Sequence, residues 1–134
     1  MRRQFSLSKA DEAYLISRKL PWETVVDGGA QWVILHQFPV SAGYDHGTVA
    51  VGIQLVSGYP DAPLDMAYFL PHLARNDGKA IPQTGPHLFD GKQWQRWSRH
   101  RCPGVNPWIV GEDDLGTHVG YTESWLRDEF RKRP

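Results

Sequence analysis

The chain has 134 residues, enough for one domain and too few for two, and it is long enough to bury a core without disulfides. Fifteen basic residues balance fifteen acidic ones, so the net charge is zero, which argues against a nucleic-acid or anionic-membrane partner. The one cysteine, Cys102, excludes an intramolecular disulfide and a multi-thiolate zinc site. No apolar run reaches the roughly 18 residues of a membrane span, and the N-terminus lacks a signal-peptide core, so the expected compartment is the cytoplasm.

In chain order, Ser8-Lys9-Ala10-Asp11 has the spacing of a capping box, with Ser8 taking an orphan N–H and Asp11 reaching back. It predicts a short helix to about Lys19, ended by Pro21. The period then changes. Glu23 to Val26, Gln31 to Phe38 and Thr48 to Val56 read as strands rich in Val and Ile, separated by Gly-rich turns. A proline turn, Gly58 to Pro63, leads to a fourth strand over Leu64 to Leu70. Pro71 to Pro107 reads as irregular, a length that in a compact domain is usually functional or hides short elements. Glu112 to Lys132 reads as a long helix with Leu115, Val119, Thr122, Leu126 and Phe130 on one face. Gly116 and Gly120 weaken its first turns, which allows a later start. The expected architecture is α+β: an N-terminal helix, a four-strand antiparallel meander, an irregular segment and a C-terminal helix, all in one domain over 1–134.

Tyr59-Pro60-x-x-Pro63 is similar to the turn that ubiquitin-conjugating enzymes carry between their third and fourth strands. The block Gly91 to Arg101, with Trp97-Ser98-Arg99-His100 at its centre, resembles the bacterial proteins called prokaryotic E2 family E. So do Asn106-Pro107-Trp108 and the helix start around Asp113-Asp114-Leu115. The resemblance covers nearly the whole chain. It implies an E2-like (UBC) fold and a carrier that accepts the C-terminus of a ubiquitin-like protein from an E1-like adenylating enzyme. The carrier would pass it to a lysine amine of a target protein, in a bacterial pathway linked to antiphage defence. Conventional E2s have a His-Pro-Asn motif and then a Gly-x-x-Cys. Here the nearest counterpart of the first is Gly85-Pro86-His87, and counting from Gly91 puts Trp94 at the cysteine position. Tryptophan is no acyl nucleophile, so either the site has moved or activity is lost.

An acyl carrier needs a nucleophile and donors for the oxyanion. Ser98 is the first candidate. His100 lies two residues on, so an extended backbone would put both side chains on one face, with the imidazole as base. Arg99 and Arg101 would then form the opposite face, or a positive rim that stabilises the oxyanion. Cys102 is the second candidate, its thiolate favoured by the flanking arginines. The resemblance points to the Trp-Ser-Arg-His block, so an oxyester on Ser98 is preferred over a thioester on Cys102. His118 reads as a core histidine hydrogen-bonded to Asp114 or Thr122. Asp113 and Asp114 read as helix capping or as acids that position an incoming lysine. Trp94, Trp97 and Trp108 read as packing, and Tyr14 and Leu15 as a surface for E1 docking. No histidine pair has metal-ligand spacing and no phosphate loop is present, so neither metal nor cofactor is expected. Three functional classes follow: an acyl-carrier transferase, a catalytically inactive E2-variant scaffold, and a structural α+β domain.

Overall fold

The computed structural model describes residues 1–134. Helix α1 spans Lys9–Ser17 and helix α2 spans Leu115–Lys132. Between them run β1 (Trp22–Asp27), β2 (Ala30–Pro39), β3 (Thr48–Leu55), β4 (Ala67–Leu70), β5 (Thr84–Phe89) and β6 (Lys92–Trp97). They form one antiparallel sheet in the order β1-β2-β3-β4-β6-β5. The expected sheet of four strands is therefore one of six. The segment read as irregular contains a hairpin, β5–β6, and β6 pairs with β4. No helix is long and apolar enough to cross a membrane.

Alternation along the strands sends side chains to two faces. Val33, Leu35, Val51, Ile53, Phe69 and Trp97 point to the main core, which Leu15 of α1 and Leu115, Val119 and Leu126 of α2 close. The other face carries Trp32, Ile34, Tyr68, Phe89 and Trp94. Trp32 stacks on Phe89 with ring centroids 3.8 Å apart, and Phe89 stacks on Trp94 at 4.5 Å. A Cβ at Gly52 would lie 2.9 Å from the Phe89 ring, so only glycine lets this stack settle onto β3. The hairpin tip is tied to β1 as well. Asp90 accepts from the Arg2 guanidinium at 2.7 and 2.8 Å, and its N–H donates to Asp27. The sheet therefore curls, with β5–β6 lying against its outer face.

The helix ends differ from expectation in instructive ways. The Ser8 hydroxyl accepts from the Asp11 N–H, but the Asp11 carboxylate does not reach back. It accepts instead from the Tyr59 hydroxyl at 2.7 Å. Helix α1 stops at Ser17, short of Lys19, whose φ of 57° is left-handed. Helix α2 starts at Leu115, not at Glu112, because Asp114 and Thr117 form a reciprocal capping box there. The fourth strand starts at Ala67, not Leu64, since Met66 has a φ of 53°. Leu15 is fully buried and so offers no docking surface, while Tyr14 is half-buried.

Candidate active site at the end of β6

Trp97 is the last residue of β6 and is buried against Phe69 and Tyr44. Ser98 follows at once. Its N–H donates to the Gln83 carbonyl at 2.9 Å, and the Arg99 carbonyl accepts from the Met66 N–H at 3.0 Å. The run is thus clamped by backbone bonds on both sides, while the Ser98 side chain is half-buried and His100 is exposed. The His100 imidazole is turned to a carboxylate: Nδ1 lies 3.6 Å from Asp65 Oδ2, and no hydrogen bond joins the ring to Ser98. Cys102 is exposed and carries a free thiol 3.8 Å from the His100 carbonyl. Its N–H donates to Asn106 Oδ1 at 2.7 Å, which closes the turn from Cys102 to Asn106.

Arg101 does not stand on a rim. Its side chain is 5% exposed. The guanidinium donates to the carbonyls of Asn106 and Pro107 and to Asp113 at 2.9 Å. It also lies over the rings of Tyr121 and Trp108. Asp113 is thereby occupied. Burial pushes its carboxyl up, but hydrogen bonds led by the Ile109 N–H, with the charge of Arg101, outweigh this and hold it below the usual carboxylate range. Asp114 is the helix cap. Arg99 is the cation left near the surface. Its guanidinium donates to the carbonyls of Pro82 and Ser98.

Beneath the run lies His118, fully buried on α2. The expected partners, Asp114 and Thr122, bond its backbone: its N–H donates to the Asp114 carbonyl and its carbonyl accepts from the Thr122 hydroxyl, both at 3.1 Å, while the ring Nε2 donates to the Met66 carbonyl at 2.8 Å. Nδ1 has no partner. Burial pushes the imidazole pKa down, so the ring is neutral. Helix α2 therefore holds Met66, and Met66 holds Arg99. A second anchor is Tyr59, whose hydroxyl donates to Asp11 and accepts from the Leu115 N–H, both at 2.7 Å. The Tyr-Pro turn ties the starts of both helices together.

The positions expected from conventional E2s are elsewhere. Gly91 lies in the β5–β6 turn and Trp94 is buried in the outer-face stack. His87 lies on β5 opposite Trp94, packed against Trp32 and Tyr68, with its pKa lowered by burial. Trp108 is half-buried and donates to the Pro60 carbonyl. The largest cavity, about 450 Å³, lies beside Tyr59 and the helix starts and contains none of Ser98, His100 or Cys102.

Residues 7–129 match the sequence model of prokaryotic E2 family E. The chain belongs to that family. Membership gives this family E protein an E2-like role in general terms: conjugating transfer of a ubiquitin-like protein, in interaction with an E1. No curated protein and no solved structure matches the chain. The run Ser98 to Cys102 brings a half-buried hydroxyl, an exposed imidazole and an exposed thiol within five consecutive residues. Sequence reasoning missed Asp65, because no local spacing links it to His100. Only the pairing of β4 with β6 makes them neighbours.

Proposed function

We propose that the protein carries the C-terminus of a ubiquitin-like protein as an oxyester on Ser98 and transfers it to a target amine. The Ser98 hydroxyl attacks the activated acyl carbon held by the E1-like enzyme. Its proton passes to His100 and the E1 leaving group departs. The neutral amine of a target lysine then attacks the ester; the C–O bond breaks, the serine oxygen takes back the proton held on His100, and the imidazole so freed accepts the proton that the amine nitrogen loses. The pathway is a bacterial ubiquitination-like one, serving antiphage defence.

The observation that carries this reading is the placement of Asp65 beside His100 Nδ1, within two residues of Ser98. Asp65 stands at 3.6 Å, an ion-pair contact longer than a hydrogen bond, on the Nδ1 side of the ring, so closing that gap would orient Nε2 toward the serine proton. An exposed pair of this kind contributes only about 0–1 kcal/mol to stability, so its use lies in orienting the ring. The second reading is an E2-variant scaffold that binds E1 or the ubiquitin-like protein without chemistry. It is favoured by the burial of Trp94 where a conventional carrier cysteine would stand.

Intact mass spectrometry after incubation with ATP, an E1-like enzyme and a ubiquitin-like protein separates these readings. An adduct that resists thiol reductant, falls to mild base and is absent from Ser98→Ala is the expected result. Cleavage by reductant and loss in Cys102→Ala would move the carrier to the thiol. Binding without any adduct would leave the scaffold.

A further inference from the structure

A small cleft opens beside the candidate site, where the chain beyond β6 meets the last turns of α2. Its volume is about 140 Å³. It is lined by Arg99, His100 and Asn106 from the chain beyond β6, by Trp125 and Lys132 of α2, and by Arg133 just after it. Two carboxylates also reach it, and both are already neutralised. Glu129 is fully buried, held by Arg75 Nη1 at 3.0 Å and by Arg133 Nε at 3.0 Å. Asp128 faces Arg131 at 3.1 Å. Arg99 has only carbonyl oxygens and the Trp97 ring as partners. Lys132 forms no ion pair. Arg99 and Lys132 are therefore the cations of the lining without an ion-pair partner, and the Arg99 guanidinium is half-buried. Removing such a charge from water is costly unless an anion answers it. The C-terminal end of α2 carries a partial negative charge of roughly half an electron, faced by Arg131 and Lys132 in its last turn. Arg99 lies outside that helix and is not needed for it.

We propose that this cleft receives carboxylate side chains from the C-terminal tail of the carried protein, an inference that rests on Ser98 as carrier. Arg99 and His100 line the cleft and follow Ser98 directly, and an extended chain advances about 3.3 Å per residue. Side chains a few positions before the ester therefore reach the cleft. The acceptor is a protonated amine before it reacts, so a cation-rich cleft repels it and belongs to the donor side of the reaction.

Two fluorescein-labelled peptides ending in Gly-Gly carboxamide, one bearing three glutamates and one three lysines, test this by fluorescence anisotropy with the full chain. The glutamate peptide should bind, the lysine peptide should not, and Lys132→Glu should weaken binding about tenfold. Lys132 is exposed, so this variant leaves the fold intact. Equal binding of both peptides, no binding, or indifference to Lys132→Glu overturns the proposal. Adduct formation measured in parallel separates the two ideas. An adduct formed equally by wild type and Lys132→Glu overturns the cleft and spares the carrier. Glutamate-selective binding without any adduct supports the cleft's ligand class and removes the carrier.

Discussion

Strand β6 and the five residues that follow it are one continuous piece of chain with opposite physical character. In β6, Trp94 and Trp97 are buried in different cores and Gln95 is fully engaged. Its amide donates to the Leu73 carbonyl, and its oxygen accepts from the Leu73 N–H and the Trp97 indole. From Ser98 to Cys102, by contrast, the backbone is held by Gln83 and Met66 while Ser98 is half-buried and His100 and Cys102 are exposed. Packing of the sheet ends at Trp97; beyond it Arg101 turns back to pack on Trp108 and Tyr121, while His100 and Cys102 are exposed. A carrier needs that division: a fixed backbone so that attack geometry is reproducible, and free side chains so that two large proteins can approach.

The division predicts that stability and function separate along a few residues. The largest effect on stability belongs to Trp97→Ala. It removes a fully buried indole that packs edge-on to Phe69 and satisfies Gln95. The expected loss is about 3–5 kcal/mol, read from urea unfolding. A loss below about 1 kcal/mol would mean that the end of β6 is not anchored as described.

The next effect concerns His118, the buried link from α2 through Met66 to Arg99. Burial depresses its pKa in the folded state, so as pH falls below the ordinary imidazole value of 6.5 the unfolded chain takes up a proton that the folded chain refuses. This contribution to stability is present above that value and is lost as pH drops through it. The urea midpoint should therefore fall between about pH 7.5 and about pH 5.5. In His118→Gln, whose amide can still donate to Met66, the fall should shrink. Identical pH dependence in both proteins would show that His118 is not a neutral buried group.

How much of this was legible follows from the same contrast. Strands β1 to β3 announce themselves through runs of Val and Ile between glycines, and α2 through apolar residues at spacings of three and four. The β5–β6 hairpin was hidden because Gly85 and Pro86 dilute one strand and Lys, Gln and Arg alternate with tryptophan in the other. Yet its turn carried a signal. Asp90-Gly91 is a favoured two-residue hairpin turn, and both residues have positive φ, 53° and 69°. Ser98, His100 and Cys102 were visible as a local motif. Asp65, the role of Met66 and the true partner of His118 were not, since each depends on contacts across the sheet or between sheet and helix.

The smallest effect on stability should come from His100→Gln, and it tests the comparison most sharply. The imidazole is exposed and its contact with Asp65 is a 3.6 Å ion-pair distance between two solvated groups. Losing it should move the unfolding free energy by no more than about 0.5 kcal/mol. If His100 is the base, however, the single-turnover rate of adduct formation should fall about a hundredfold or more. Asp65→Asn should slow the same step by less, because it disturbs the orientation of the ring and leaves the ring itself. A wild-type rate in His100→Gln would remove the base from the mechanism. A large loss of stability would instead place His100 in the scaffold, on the same side of the divide as Trp97.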